Sequence, residues 1–515
     1  MAGRRRVVVL VVAAALLVAV ASAGASGKSA RFELLRLAPA ASLADLARMD
    51  RERMAFISSR GRRRAAETAS AFAMPLSSGA YTGTGQYFVR FRVGTPAQPF
   101  LLVADTGSDL TWVKCHRAAA AASASPRNAS SLPAPAPASP RRTFRPDKSR
   151  TWAPIPCSSA TCRESLPFSL AACATPANPC AYDYRSVSHS HHHHSLFFFL
   201  IIRIRIRICS SLIQKRTRTG SAARGTVGVD SATIALSGRA ARKAKLRGVV
   251  LGCTTSYNGQ SFLASDGVLS LGYSNISFAS RAASRFGGRF SYCLVDHLAP
   301  RNATSYLTFG PNPAFSSRRP SEGIASCKPA PAPTPAPAGA PGARQTPLVL
   351  DHRTRPFYAV TVKGVSVAGE LLKIPRAVWD VEQGGGAILD SGTSLTMLAK
   401  PAYRAVVAAL SKRLAGLPRV TMDPFDYCYN WTSPSGSDVA APLPMLAVHF
   451  AGSARLEPPA KSYVIDAAPG VKCIGLQEGP WPGLSVIGNI LQQEHLWEYD
   501  LKNRRLRFKR SRCMH

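Results

Sequence analysis

The sequence predicts a mainly β protein organised around two copies of one short unit, a buried strand that ends in an aspartate. The first copy is FLLVADTGSDLTWV, Phe100 to Val113, and the second is AILDSGTSLTML, Ala387 to Leu398. Apolar runs of this length that stop at a turn are typical of buried strands. A third run, Gln86 to Gly94, alternates apolar and polar residues as a half-buried strand does. The repetition indicates two halves of one site.

Each copy ends its strand with a carboxylate, Asp105 or Asp390, where an unpartnered charge is costly. A single motif of this kind is equally well explained as a strand that closes in an Asx turn. Two carboxylates in contact, however, share one proton. The ionised member can then take a proton from a water, while the protonated member donates to the carbonyl under attack.

This chemistry needs no cofactor and no metal ion. It does need small residues that turn the backbone beside each carboxylate, and hydroxyl and N–H groups that hold the carboxylates in place. The residues predicted to give this support are Thr106, Gly107, Ser108, Ser391, Gly392 and Thr393.

Together with both motifs, Trp112 and the tract SVIGNI (Ser485 to Ile490) make the sequence resemble the pepsin-like aspartic proteases. The cysteine-rich first half, the strand YDYR and the ending IGNILQQEHLWEYDLKNRRLRF resemble the plant nepenthesin-like branch. The similarity covers roughly residues 80 to 513. It implies a bilobal, mostly β, monomeric endopeptidase with one Asp per lobe, Trp112 in the cleft between the lobes, and a β-hairpin flap over the cleft. The implied substrates are polypeptides with bulky apolar residues around the cut.

The first 23 residues are predicted to be a signal peptide. Three arginines, Arg4 to Arg6, precede an uncharged run from Val7 to Ala21 and a small-residue cleavage site at Ala21 to Ala23. The run is short for a membrane span, which needs about 20 residues. We therefore expect a secreted protein without a membrane anchor, located in the apoplast, with vacuole or plastid as alternatives; a signal anchor stays open.

Residues 24–78 are predicted to be a prosegment, and hence the protein a zymogen. Ser42 to Asp45 could open a short helix that carries Leu43, Leu46 and Ala47 on one side. A basic run, Arg60 to Arg64, follows. The family resemblance implies that basic side chains cover an acidic cleft until the pH falls. A flexible, solvated linker is the alternative that the sequence leaves open.

The N-terminal lobe is assigned to residues 79–312 and the C-terminal lobe to residues 313–515, with an exposed Pro/Ala-rich loop at 327–344. Gly225 to Leu236 is predicted to be the returning flap strand and its neighbour. Proline near its start, helical apolar spacing and Gly416 at its end predict a helix over Pro401 to Leu417.

The two Asp motifs are expected to rest on supporting strands. Asp266 to Gly272 resembles the support of the first motif, and Val486 to Gly488 matches that of the second. Ser270 stands where the family usually has glycine. We interpret it as a tolerated variation, although the larger side chain could shift the support of Asp105.

An anomalous segment, residues 186–219, interrupts the predicted flap. It reads SVSHSHHHHSLFFFLIIRIRIRICSSLIQKRTRT and contains no tyrosine. The family flap has a tyrosine shortly before Gly-Ser, and here Tyr184 and Arg185 precede the segment while Gly220 and Ser221 follow it. The segment is interpreted as translated non-coding sequence, with a genuine insertion as the alternative. Its histidine run has no scaffold that would fix a metal.

Cysteine usage agrees with secretion. Four cysteines lie within 24 residues and form no C-x-x-C pair, which indicates disulfides rather than metal ligands. The resemblance implies Cys162–Cys173 nested inside Cys157–Cys180, together with Cys115–Cys253, Cys293–Cys513 and Cys428–Cys473; Cys209 and Cys327 are left unassigned. Sequons mark four candidate glycosylation sites, Asn128, Asn275, Asn302 and Asn430.

The net charge of +37 suggests nucleic acid or membranes as partners. The charge is spread along the chain, and no nucleic-acid motif with the required spacing is present. Three classes therefore compete: an acid endopeptidase, a pepsin-fold binding or inhibitor protein without catalysis, and a cationic binder. The intact D-T-G-S and D-S-G-T motifs favour the endopeptidase, whereas the missing flap tyrosine favours the binding protein.

Overall fold

The structure is a computed structural model. It describes residues 30–35, 47, 50–51, 53–54, 86–116, 142–166, 175–185, 222–235, 243–258, 265–296, 305–315, 342–423, 425–432 and 443–513.

Strands dominate the first half of the chain. They are β1 (Ala30–Leu35), β2 (Phe88–Val93), β3 (Gln98–Asp105), β4 (Thr111–Lys114), β5 (Ala153–Pro154), β6 (Ala181–Arg185), β7 (Ala222–Ala235), β8 (Lys243–Asn258), β9 (Gly267–Ser270), β10 (Arg289–Cys293) and β11 (Ser305–Phe309).

The second half is built in the same way. Its strands are β12 (Arg344–Val349), β13 (Tyr358–Val360), β14 (Val362–Val367), β15 (Glu370–Leu371), β16 (Ala387–Asp390), β17 (Thr396–Ala399), β18 (Arg419–Met422), β19 (Phe425–Asn430), β20 (Leu446–Phe450), β21 (Arg455–Leu456), β22 (Val464–Ala468), β23 (Val471–Ile474), β24 (Leu476–Gly479), β25 (Ser485–Gly488), β26 (His495–Asp500) and β27 (Arg505–Arg510).

Each half pairs its aspartate strand with a later strand in parallel. In the first half β3 runs parallel to β9, and in the second β16 runs parallel to β25. Strand β2 shows the predicted alternation, since its two outward-facing arginines, Arg90 and Arg92, are exposed between buried apolar residues. The mainly β, bilobal architecture predicted from the sequence is confirmed, and both aspartates lie at the ends of buried strands.

A shared sheet joins the two halves. Strand β26 pairs with β10 of the first half and with β27, which pairs with β12. Strand β1, from the predicted prosegment, pairs with β11 and β2. An aromatic group sits on this sheet, where the Phe290 and Tyr499 rings stack at 4.6 Å between centroids. The chain's C-terminal strands are thus built into both halves.

Three helices are described in full: α1 (Phe278–Phe286), α2 (Lys400–Arg413) and α3 (Asn489–Gln492). Helix α2 confirms the helix predicted at Pro401, although it ends at Arg413, and Leu414 to Gly416 form a turn instead. None of the helices within the described residues is long and apolar enough to cross a membrane.

Three of the expected disulfides are confirmed: Cys115–Cys253, Cys293–Cys513 and Cys428–Cys473. The nested pairs are wrong, because Cys162 bonds to Cys180. Backbone hydrogen bonds place Ile155 against Cys180 and Cys157 against Asn178, so Cys157 is offset from Cys180 along the chain. Cys157 is itself disulfide-bonded.

Several predictions fall outside the described residues. They are the signal peptide, the helix start at Ser42 to Asp45, the basic run Arg60 to Arg64, most of segment 327–344, all of segment 186–219, and Asn128, Asn302, Cys173, Cys209 and Cys327. Of the other two sequon asparagines, Asn275 is exposed and Asn430 is half-buried, with its Oδ1 accepting the N–H of Thr432.

Candidate active site

The two aspartate motifs meet through a pair of reciprocal hydrogen bonds. The Thr106 N–H donates to Ser391 Oγ at 3.1 Å, and the Ser391 N–H donates to Thr106 Oγ1 at 2.9 Å. Ser391 Oγ also donates to the Ala104 carbonyl at 3.0 Å. Each hydroxyl therefore fixes the opposite turn, and the two turns are locked face to face.

In each motif, the carboxylate is held by the N–H of the glycine two residues later in the same turn. Gly107 N–H donates to Asp105 Oδ1, and Gly392 N–H donates to Asp390 Oδ1, both at 2.9 Å. Asp390 gains one more donor, because Thr393 Oγ1 donates to its Oδ2 at 2.7 Å. Such charge-assisted hydrogen bonds favour the ionised carboxylate.

Glycine is required at both turns because the opposite carboxylate approaches closely. A Cβ on Gly392 would lie 2.3 Å from Asp105 Oδ1, and one on Gly107 would lie 2.8 Å from Asp390 Oδ1. Ser108 plays a different part from Thr393, since its Oγ donates to the Asp105 carbonyl at 3.3 Å. The support set predicted from the sequence is thus assembled around both carboxylates.

The strands behind the motifs differ at one position. Asp105 pairs in register with Ser270, and Asp390 pairs with Gly488. A Cβ on Gly488 would lie 2.3 Å from the Leu395 carbonyl, so no side chain fits there. Ser270 is accommodated, and its Oγ lies 2.8 Å from Thr111 Oγ1.

Ser270 also links this support to helix α1. The Phe278 N–H at the start of the helix donates to Ser270 Oγ at 3.1 Å. The next residue, Leu271, donates its N–H to the Asp105 carbonyl at 2.8 Å. The serine is therefore an integral part of the support of Asp105.

Arg53 occupies the space between the two carboxylates. Its Nη2 donates to Asp105 Oδ1 and to Asp390 Oδ1, both at 2.8 Å, and its Nε donates to Asp390 Oδ2 at 2.5 Å. All three side chains are at most 2% exposed. Because one nitrogen reaches an oxygen of each aspartate, the structure brings Asp105 and Asp390 into a single site.

A helical stretch carries Arg53 into the site. Residues 47, 50, 51, 53 and 54 are helical, and Ala47, Asp50, Arg53 and Met54 are buried while Arg51 is exposed. Spacings of three, six and seven residues put the buried members on one face of a helix. We refer to the described residues between 47 and 54 as the docked segment.

Asp50 and Met54 attach the docked segment to the C-terminal lobe. Asp50 accepts the N–H of Ser394 at 3.0 Å and that of Leu395 at 2.5 Å, directly after the second motif. Met54 packs on β24, where a Cβ on Gly479 would lie 2.7 Å from its Cε. The segment is thus held by the ion pairs of Arg53, by the backbone hydrogen bonds to Asp50 and by the apolar contact of Met54.

Burial shapes the protonation of this group. Burial alone would lower the pKa of Arg53, but the charges of Asp105 and Asp390 outweigh it and raise that pKa. Burial raises the pKa of Asp390, although the Arg53 charge acts in the opposite direction. Burial also raises the pKa of Asp50 to about 7, against the effect of the two backbone N–H groups that it accepts.

The predicted flap is present up to the edge of the anomalous segment. Strands β6 and β7 form an antiparallel hairpin whose last pair is Arg185 and Ala222. Segment 186–219 therefore lies between the two strand ends. Trp112, predicted to line the cleft, is completely buried in β4. It belongs to the apolar cluster that also contains Met54.

Sequence reasoning missed Asp50 and Arg53, and assigned the basic role to residues 60–64 instead. The available signal was the buried face of a helix that includes Ala47, Asp50, Arg53 and Met54. Two further supports of the second motif were also missed. Gln86 Nε2 donates to the Gly392 carbonyl, and Asn489 Nδ2 donates to the Ser391 carbonyl, both at 3.0 Å.

Two family models match most of the chain. The model described as "Xylanase inhibitor N-terminal" matches residues 87–197 and 206–311, and "Xylanase inhibitor C-terminal" matches residues 357–510. The break in the first match falls inside segment 186–219.

Two plant proteases are among the similar proteins. Aspartyl protease family protein 2 of Arabidopsis thaliana is 31% identical over 448 residues, 86% of this chain and 74% of that protein. Aspartic proteinase nepenthesin-2 of Nepenthes gracilis is 26% identical over 437 residues, 84% and 79% of the two chains. The crystal structure of Basic 7S globulin from soybean shares the fold, with a TM-score of 0.53 and 18% identity over 84% of this chain and 92% of its own.

The matched family models cover well over half of the chain. The protein belongs to the pepsin-like aspartic protease family, in its plant nepenthesin-like branch.

Proposed function

We propose that the protein is the precursor of a secreted aspartic endopeptidase that hydrolyses peptide bonds in acid. The observation that carries the proposal is the meeting of two buried carboxylates, Asp105 and Asp390, at one guanidinium nitrogen of Arg53. Two carboxylates that meet at one point can act together on a single water, one as base and the other as acid. When Arg53 leaves, a water that takes the position of its guanidinium would contact both carboxylates.

The proposed reaction follows from the support of this pair. The ionised carboxylate takes a proton from the water, and the protonated one donates to the carbonyl oxygen of the peptide bond. The N–H groups of Gly107 and Gly392 and the crossed bonds between Thr106 and Ser391 keep the carboxylates in place. Because the site is preorganised, little reorganisation is needed as charge develops.

The precursor state follows from the docked segment. Arg53 hydrogen-bonds both carboxylates and fills the reaction space, so this conformation is inactive. Residues 1–23 would be the signal peptide and residues 24–78 the prosegment, followed by lobes at 79–312 and 313–515. The proposed protein is secreted to the apoplast, with the vacuole or plastid as alternatives. It is a monomer, and its substrates are polypeptides.

A second candidate is a pepsin-fold binding or inhibitor protein without catalysis. It is favoured by segment 186–219, which interrupts the flap and contains no tyrosine. Sequencing the transcript across codons 180–225 separates the two candidates. A message that lacks the segment and restores a tyrosine before Gly220 supports the protease; a mature message that retains the segment favours the binding protein.

The direct test uses the full chain with Arg53→Ala, which frees the pair. Quenched-fluorescence peptides with apolar residues around the scissile bond should be cut between pH 3 and 6. Adding Asp105→Asn or Asp390→Asn should abolish cleavage, whereas Asp380→Asn, at a half-buried carboxylate outside the site, should not. If a statine-containing peptide binds but nothing is cut, the binding protein is supported; if neither occurs, both candidates fail.

A further inference from the structure

Gln477 is a buried amide whose hydrogen-bonding groups are unused. The residue is 6% exposed, and neither its Nε2 nor its Oε1 has a hydrogen-bond partner among the described residues. Primary amides can donate two hydrogen bonds and accept two. Buried polar groups of this kind are rare in folded proteins and call for an explanation.

The side chain lies on the face of β24 that the docked segment covers. Alternate residues of a strand share a face, so Gln477 points to the same side as Gly479. Met54 Cε would be 2.7 Å from a Cβ on Gly479. The in-register neighbour of Gln477 is Met397, which belongs to the same apolar cluster as Met54.

The opposite face of the strand carries Leu476, which is buried in the apolar core, and Glu478. Glu478 is exposed there, and its carboxylate pairs with Lys400 Nζ at 3.2 Å. Gln477 lies on the other face, beneath the segment that also delivers Arg53 to the two aspartates.

The docked segment does not satisfy this amide. Met54 of the segment reaches the strand, and its thioether is at best a weak acceptor. When the segment leaves, the depression that Met54 fills is open, with an apolar floor at Gly479 and Met397 and one amide beside it. A site that holds an unpaired donor and acceptor discriminates strongly in favour of a ligand that supplies both.

We propose that Gln477 is a specificity-determining residue of the cleft, which pairs with the side-chain amide of a glutamine or asparagine in the bound polypeptide. This inference rests on the proposed endopeptidase function. A primary amide offers a donor and an acceptor side by side and so is complementary to another primary amide. An aliphatic residue at the same place leaves Gln477 unpaired, and an ionised carboxylate or ammonium is desolvated without a charge partner.

The experiment uses the full chain with Asp50→Ala, Arg53→Ala and Met54→Ala together, which removes all three attachments of the docked segment. Peptides identical except for one residue, which is Gln, Asn, Met, Leu, Glu or Lys, are compared at each position near the cut. With Gln477 present, kcat/KM should be about tenfold higher for Gln or Asn than for Met at one position, a ratio typical of a single pocket contact. Adding Gln477→Met should abolish that preference, and the control Glu478→Gln, on the opposite face, should keep it.

Two results would overturn the inference. One is no change in relative preference on Gln477→Met; the other is an equal loss for every peptide, which would mean that the amide holds the peptide backbone. If the Gln477→Met variant does not fold, Gln477→Glu replaces it, because glutamate has nearly the same volume as glutamine. At pH values above the pKa of the new carboxyl, this variant should prefer the peptide with Lys at the variable position. Binding of the same peptides with a reduced, uncleavable bond gives the same ratios if no peptide is cut, so failure of catalysis and failure of the inference are distinguishable.

Discussion

Arg53 and Asp390 meet through two parallel hydrogen bonds, Nε to Oδ2 at 2.5 Å and Nη2 to Oδ1 at 2.8 Å. This fork is available to a guanidinium and not to an ammonium group. The same Nη2 also reaches Asp105. One side chain from the N-terminal part of the chain thus controls both halves of the site.

Removing this guanidinium should open the cleft. Breaking a buried ion pair typically costs about 3–5 kcal/mol, so in Arg53→Ala the affinity for a statine-containing peptide should rise by at least about a hundredfold. Arg53→Lys keeps the charge but loses the fork, and should give an intermediate affinity. Arg51→Ala, at the exposed arginine of the same segment, is the control. Equal affinities for all variants would show that the segment does not occupy the cleft in solution.

The attachment of Asp50 should strengthen in acid. Its pKa is about 7 in the docked state against 3.8 for the ordinary carboxyl, so the docked state takes up a proton between these values. The stabilisation of the docked state by proton uptake at Asp50 is complete below about pH 4 and is lost as the pH rises through 7. Hydrogen exchange of the docked segment, corrected for intrinsic rates, should show more protection at pH 5 than at pH 8.

In Asp50→Ala this pH difference should disappear. A protection that instead fell towards pH 5 in the unaltered chain would contradict the prediction. The family resemblance implies that acid releases the prosegment. The attachment of Asp50, which strengthens in acid, should oppose that release. We therefore expect removal of the segment to need cutting of the chain and not acid alone.

Deleting residues 186–219 should leave a folded protein. The β6–β7 pairing ends with Arg185 opposite Ala222, so the shortened chain would join them through Gly220 and Ser221. Two-residue hairpin turns with glycine first are favoured. Thermal unfolding should give an unchanged or higher Tm. Deleting 186–221 removes the turn residues as well and should lower the Tm; similar losses in both variants would mark the segment as part of the fold.

Both supporting positions should lose stability when serine and glycine are exchanged, the glycine position more than the serine position. Ser270→Gly removes a buried hydroxyl that accepts the Phe278 N–H, and should cost about 1–3 kcal/mol of unfolding free energy. Gly488→Ser forces a Cβ to within 2.3 Å of the Leu395 carbonyl and should cost more than that or prevent folding. Denaturant unfolding measures both. If Ser270→Gly were neutral, the hydroxyl would have no part in the support.

The fold and the two carboxylates could be predicted because their signals are local. A buried strand that ends in Asp-Thr-Gly or Asp-Ser-Gly contains its own strand, turn and support within a few residues. Each motif carries the hydroxyl, Thr106 or Ser391, that later crosses to the other. The repeat of the motif then predicted that Asp105 and Asp390 belong to one site, because a site with two equivalent halves needs the same short sequence twice.

Contacts between distant segments could not be predicted in the same way. Arg53 lies 337 residues before Asp390 along the chain. Its helical spacing from Ala47 and Met54 separates it from Arg51, but nothing in that spacing identifies the two aspartates as its partners. The partner of Cys162 depends on how residues 155–157 align with residues 178–180, a register that spacing alone does not determine. The contact of Ser270 with the Phe278 N–H is not predictable from the motif either, because Phe278 begins a helix that packs behind the strand.

The shared sheet sets an order for assembly during synthesis. Strand β10 of the first half pairs with β26, and Cys293 bonds to Cys513, which is 220 residues later. At synthesis rates of about 5–20 residues per second, those residues follow roughly 10–40 s after the first half is made. Until then strand β10 of the nascent first half has an unpaired edge. A chain released before the last strands are made would keep this edge exposed and would be prone to aggregate.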